Sequence, residues 1–83
     1  MALAELRELT VRLWRLRERS EDDLVPVAAL QDLLLDARGA VPRTRVAVVD
    51  RHLAATANRS WFTRDEAGPV FRDLGGLLRD LDA

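Results

Sequence analysis

The apolar positions of the chain repeat with helical spacing over most of its length. In residues 2–19 they alternate steps of four and three, which is typical of a helix that packs along one face: Ala2, Leu6, Leu9, Leu13 and Leu16. The segment contains no proline or glycine, so we expect an unbroken helix of about 27 Å. Leu3, Val11 and Trp14 lie off this seam, which indicates that the helix makes contacts on two sides.

A second helix is predicted after "SEDD", residues 20–23, which breaks the first pattern. Pro26 suits its first turn, and Asp22 and Asp23 lie where the helix dipole favours negative charge. Gly39 predicts its end. Five apolar positions define its inner face: Val27, Leu30, Leu33, Leu34 and Ala37.

A third helix is predicted over roughly residues 43–57. Its valines favour a strand by propensity, but the helical spacing continues for too long to be a strand. Asn58 is expected to cap it in the left-handed conformation. The predicted inner stripe is Val46, Val49, Leu53 and Ala57.

The clearest local signal precedes the last helix. Thr63 and Glu66 have the spacing of a capping box, and Phe62 is placed to pack onto Ala67 as a hydrophobic staple. Gly68-Pro69 predicts either a kink or a short turn followed by a new helix from residue 69. The inner face of this region is predicted to be Phe71, Leu74, Leu78 and Leu81.

Gly75 and Gly76 cost helix stability, about 1 kcal/mol each relative to alanine, and so indicate a close approach by another helix or a break. Taken together, the patterns predict an all-α fold. We expect one domain over residues 1–83, a compact bundle of four short helices, or five if the last one splits.

Composition excludes several kinds of chemistry. The chain has 83 residues, no cysteine and one histidine. Disulfides and thiol catalysis are therefore excluded, and we expect neither a metal nor a cofactor. All basic residues are arginine, which indicates a GC-rich bacterial genome. No signal peptide or membrane-length apolar run is visible, so we expect a cytoplasmic protein with no membrane partner.

Charge alternates along the chain. Residues 1–20 and 41–62 are net positive, and residues 21–40 and 63–83 are net negative, with a total of -1. Such bands can pair neighbouring helices or two copies of the chain, but a mixed solvated surface is the favoured interpretation. Asp32 and Asp36, one turn apart, are likewise expected to lie on a solvated face.

The stretch "VRLWRLRERS", residues 11–20, favours protein contact over a nucleic-acid arm because its leucines form a seam. Tryptophan and arginine are enriched at interface hot spots. Burial of Trp14 in the core is an alternative that the sequence supports at least as well. Trp61 and Phe62 are expected to be core or staple residues. The candidate interface is Leu6, Leu9, Leu13, Trp14, Leu16, Arg12 and Arg15.

Two other functions are considered. Residues 36–53 could form a helix-turn-helix in which Arg43, Arg45 and Arg51 contact DNA, although an ordinary helical hairpin is favoured. Arg45 and His52, seven residues apart, could also serve a small RNase, as phosphate ligand and acid or base. That second function is a remote alternative.

The leading hypothesis is a small helical interaction or adaptor module without catalytic residues, which self-associates or docks onto a larger protein. A protein partner or a second copy is therefore expected, and nucleic acid is the less favoured partner.

Overall fold

The computed structural model describes residues 2–19 and 24–83. Within these ranges the chain forms four α-helices, two three-residue strands and one 3-10 turn. In chain order they are α1 (Leu3–Glu18), β1 (Leu24–Pro26), α2 (Val27–Ala40), the 3-10 turn (Arg43–Arg45), α3 (Val46–Ala55), β2 (Trp61–Thr63) and α4 (Arg64–Asp82). The all-α prediction with four helices is confirmed.

Helix α1 follows its predicted seam closely. Leu6, Leu9 and Leu13 are buried, and Leu16 packs partly buried against the same core. Ala2 lies just outside the helix and is exposed, because α1 begins at Leu3. The seam therefore faces the rest of the chain and carries the packing of α1 on α2 and α4.

Helix α2 buries every position predicted for its inner face, with Leu30, Leu34 and Ala37 wholly inaccessible. The predicted end at Gly39 is wrong. The helix continues to Ala40, and Gly39 does not adopt a positive φ, so the left-handed glycine cap is not used. The predicted role of Asp22 and Asp23 at its N-terminus lies outside the described residues.

The two short strands were not predicted from the sequence. They pair antiparallel, with Val25 opposite Phe62, and the Val27 N–H extends the pairing by donating to the Ser60 carbonyl at 3.0 Å. Val25 and Phe62 are buried, whereas Trp61 is 54% exposed, so the expectation of a core or staple role is met by Phe62 and wrong for Trp61. The strands join the α1–α2 half of the chain to the α3–α4 half.

Helix α3 is shorter than predicted. Residues 43–45 form the 3-10 turn, and the α-helix ends at Ala55. Val49 is buried as expected, but Ala57 lies beyond the helix and is exposed. Asn58 has a φ of 62°, which confirms its left-handed conformation in the turn that follows.

Helix α4 begins at the predicted capping box. The Glu66 N–H donates to the Thr63 hydroxyl, and the Thr63 N–H donates to the Glu66 carboxylate at 3.0 Å. That backbone bond, with a weaker contribution from Arg59, holds the pKa of Glu66 below its ordinary value. The helix then runs unbroken through Gly68-Pro69 and Gly75-Gly76 to Asp82, so the predicted split does not occur.

Exposed arginine–aspartate pairs join each helix to its neighbours around the bundle: Arg12–Asp36, Arg38–Asp50, Arg51–Asp73 and Arg7–Asp82. The alternating charge bands therefore pair neighbouring helices within one chain. Such exposed pairs contribute about 0–1 kcal/mol each, so they orient the helices more than they stabilise them.

Candidate interaction surface

The outer face of α1 carries three large apolar side chains. Leu3 is 46% exposed, Val11 47% and Trp14 54%. At 100° per residue, Leu3 and Trp14 differ by about 20° around the helix axis, and Val11 lies about 60° from Trp14. The buried seam lies about 80–160° around the axis from Trp14. Helix α1 is therefore apolar over more than one stripe, and its second stripe faces solvent.

The residues of the predicted interface separate into two groups. Leu6, Leu9 and Leu13 are buried in the chain's own core, so they are not available to a partner. Trp14 and Arg15 are exposed. The alternative prediction, that Trp14 is buried in the core, is wrong.

The arginines of the predicted interface lie towards α2. Arg12 donates to Asp36 at 2.7 Å. Arg12 and Arg15 line a shallow depression between α1 and α2, together with Leu16 and Asp32. They therefore lie on a different side of α1 from the groove described next.

Beside Trp14, a groove of about 440 Å³ lies at the surface between α1 and α4. Its lining includes two aromatic residues, Trp14 and Phe71, and two glycines, Gly75 and Gly76. A Cβ atom at Gly75 would lie 3.5 Å from the Leu13 side chain, whereas one at Gly76 would meet nothing within 4 Å. The predicted close approach of a helix is therefore seen at Gly75, and Gly76 leaves open space. We refer to this region as the α1–α4 groove.

The rim of the α1–α4 groove is basic. Arg17, Arg72 and Arg79 line it, and the Arg17 guanidinium lies 5.5 Å from the centre of the Trp14 ring. The described lining contains one acidic residue, Asp82, and its carboxylate is paired with Arg7 at 3.7 Å. The groove thus offers aromatic surface and positive charge together.

His52 forms a largely enclosed contact with a carboxylate of α4. Its Nε2 atom lies 2.9 Å from Asp73 of α4, and the side chain of His52 is 11% exposed. Arg51 approaches the same carboxylate at 3.3 Å and Arg72 at 3.5 Å. The hydrogen bond from His52 is the largest cause that lowers the pKa of Asp73, helped by the charges of His52 and Arg72 and opposed by burial.

This cluster predicts a loss of stability in acid. Since the pKa of folded Asp73 lies below the ordinary value of 3.8, its pairing stabilises the fold fully above that value and is lost as pH falls through the folded pKa. Asp73→Asn is expected to lower the free energy of unfolding near neutral pH by about 1–3 kcal/mol and to flatten its decline in acid. Denaturant unfolding at several pH values measures both.

The control for that prediction is Asp80→Asn, two turns along α4. Asp80 pairs with Arg45 at 3.4 Å and its side chain is 67% exposed. We expect it to change the unfolding free energy by less than about 0.5 kcal/mol. Equal effects of the two substitutions would contradict a special role for the His52–Asp73 contact.

The residues of the RNase hypothesis bind different carboxylates. Arg45 lies in the 3-10 turn before α3 and contacts Asp80, whereas His52 contacts Asp73. His52 is buried, with 9% of its surface exposed, which leaves little of the imidazole for a substrate. The geometry gives this hypothesis little support, and it remains a prediction.

The arginines of the DNA-binding hypothesis border α4. Arg45 and Arg51 are exposed but are paired with Asp80 and Asp73, so negative charge stands beside them. Arg43 is exposed in the 3-10 turn. A surface that presents arginines to phosphate would carry less neighbouring acid, so DNA binding also remains a prediction.

Two further findings concern other kinds of site. In residues 2–19 and 24–83, no three or more histidine or carboxylate side chains converge in a way that could hold a metal ion. None of the helices in these ranges is long and apolar enough to cross a membrane.

The sequence pattern identifies few of the residues that line the α1–α4 groove. The sequence pattern places Arg17 outside the candidate interface and predicts that Phe71 lies on the inner face of the last helix. Phe71 is only partly buried against the core and faces the groove. The Gly75-Gly76 pair is the sequence signal for the groove. Two adjacent glycines destabilise a helix, so their presence indicates a close approach or an open space at that position.

Comparison with known proteins gives no relative. No protein-family model matches the chain, and neither the curated proteins nor the solved structures contain a match. The fold and the surface therefore define the class on their own, which is a small all-α bundle with an aromatic, arginine-rimmed groove between its first and last helices.

Proposed function

We propose that the protein is a small helical interaction module that binds another protein through the outer face of α1 and the adjoining groove. The observation that carries the proposal is the 54% exposure of Trp14 on a helix whose other apolar face is already buried. Scattered single apolar residues are ordinary on a surface, whereas several on one face point to a contact. Trp14, Leu3 and Val11 are such a set.

The residue types on this surface also favour a contact with another protein. Tryptophan and arginine are the residues whose loss most weakens protein complexes, and here Arg17 stacks near Trp14 at the edge of the groove. A domain of this size leaves much of its apolar surface exposed, so covering this face would add stability.

Site-specific photo-crosslinking tests the proposal. The photoreactive amino acid benzoyl-phenylalanine replaces Trp14 in the full chain, in cells of the organism that encodes it, and adducts are detected after irradiation. Because Trp14 is exposed, the substitution should leave the fold intact, which circular dichroism verifies. We expect protein adducts from position 14 and few from the matched control at Ala54, an exposed residue on α3.

The adduct mass identifies the mode of interaction. A mass that is a multiple of the 9.3 kDa chain indicates self-association, and any other mass indicates a different partner protein. Absence of adducts at position 14, or equal yields at positions 14 and 54, would overturn the proposal.

A further inference from the structure

Gly76 lines the α1–α4 groove and leaves open space where a side chain would lie. Apart from its chain neighbours and the adjacent backbone of α4, no described atom lies within 4 Å of where its Cβ would be. The glycine is therefore not required for packing inside the bundle, although it weakens α4. Trp14 and Phe71 line the same groove as Gly76.

The charge around this space is opposite in sign to that of the whole chain. Arg17, Arg72 and Arg79 line the groove. Arg72 lies 3.5 Å from Asp73, but 76% of its side chain is exposed, so it can still reach a ligand. The chain as a whole carries -1. Arginine guanidinium groups bind carboxylates in well-defined geometry, so the rim is complementary to an acidic ligand.

We propose that the α1–α4 groove binds an acidic amphipathic helix of a partner protein. Apolar side chains of that helix would lie over Gly76 between Trp14 and Phe71, and its carboxylates would reach Arg72 and Arg79. An apolar groove that accepts the apolar face of a helix is a recurrent mode of recognition. The inference rests on the proposed function and adds the chemistry of the partner.

A nucleic acid fits this surface less well. Phosphate binding draws on many arginines and needs no apolar groove, whereas the lining here combines three arginines with leucine and aromatic side chains.

A second copy of the chain is a weaker candidate occupant. The exposed face of α2 offers Leu35 beside Asp32 and Asp36, but Asp36 is already paired with Arg12 of its own chain at 2.7 Å. Docking of α2 into the groove of a second copy would join two different surfaces. Contacts of that kind produce an open filament of copies unless the rotation between neighbours closes a ring.

Selection from a displayed library tests the proposal. The full chain is immobilised at low salt and used to select binders from a library of random peptides. The peptides have about 16 residues, so that a helical peptide is as long as α1. Enriched peptides are synthesised, and their binding is measured by fluorescence polarisation. We expect enriched peptides to carry net negative charge, with apolar residues at helical spacing, and to bind less tightly as salt rises.

Paired variants locate the binding site. Gly76→Leu fills the groove and should weaken binding at least about tenfold. Gly39→Leu, at an exposed helical glycine outside the groove with nothing within 4 Å of its Cβ position, should leave affinity within about twofold. Arg72→Gln with Arg79→Gln should weaken binding about tenfold, and Arg43→Gln should not. Circular dichroism confirms that each variant is folded.

Several results would overturn the inference. They are enrichment of neutral or basic peptides, no enrichment above beads without protein, or affinity unchanged by Gly76→Leu. A stable dimer that Gly76→Leu dissociates would assign the groove to a second copy and also overturn it. If crosslinks at position 14 persist in any of these cases, the proposed function stands and only the acidic partner is rejected.

Discussion

Replacing Leu34 by alanine is expected to lower the free energy of unfolding by about 2–5 kcal/mol. Leu34 lies on the inner face of α2 and has no exposed surface. The substitution removes buried apolar atoms and leaves a cavity that close-packed neighbours fill only in part. A domain of this length has a total stability of about 4–12 kcal/mol, so the loss is a large fraction of it.

The next residue supplies a matched control. Leu35 has the same side chain on the same helix, but it is 56% exposed. Leu35→Ala should change the unfolding free energy by less than about 0.5 kcal/mol. Urea unfolding followed by far-ultraviolet circular dichroism measures both variants. Tryptophan fluorescence is a poor reporter here, because Trp14 and Trp61 are both exposed. A similar loss from both variants would mean that α2 does not pack through the face described.

The contrast between Leu34 and Leu35 shows what the sequence pattern can determine. Helical spacing assigns each residue of α2 a direction around the axis, and the predicted inner face was buried without exception. The capping box at Thr63 was equally readable, because its two hydrogen bonds join residues three apart. Local features of this kind need no knowledge of the remaining fold.

The strands could not be read in the same way. Three residues are too few to show an alternating pattern, and "LVP" at 24–26 pairs with residues 61–63, far away in sequence. Only the packing of the two halves brings them together. The 3-10 turn before α3 was missed for a related reason, since helical spacing continued across it.

The α1–α4 groove illustrates the same limit for function. Its parts, Trp14, Arg17 and Gly76, were visible in the sequence, and the direction of Trp14 relative to the seam was known. Which helix lies beside Trp14 depends on the packing of α1 against α4, which spacing within one helix does not encode. The sequence pattern therefore does not determine whether Trp14 is exposed.

Replacing Phe62 by alanine is expected to have the largest effect of all, about 3–5 kcal/mol. Phe62 is 4% exposed and lies opposite Val25 in the strand pair. The Arg59 guanidinium lies 4.9 Å from the centre of its ring. Phe62→Leu keeps most of the apolar volume and loses the aromatic face, so it should cost less, about 1–2 kcal/mol. Trp61→Ala, on the exposed face of the same strand, is the control and should cost less than about 0.5 kcal/mol.

A double-mutant cycle shows whether Phe62 acts through the strand pair. If Val25 and Phe62 stabilise the contact between the two halves, their alanine variants should be coupled by about 0.5–3 kcal/mol. Additive losses would contradict that role and would leave Phe62 as a core residue of the α3–α4 half alone. The coupling also bears on the α1–α4 groove, because α1 and α4 belong to different halves. If the strand pair holds those halves in register, Phe62→Leu should weaken peptide binding in the groove even though Phe62 does not line it.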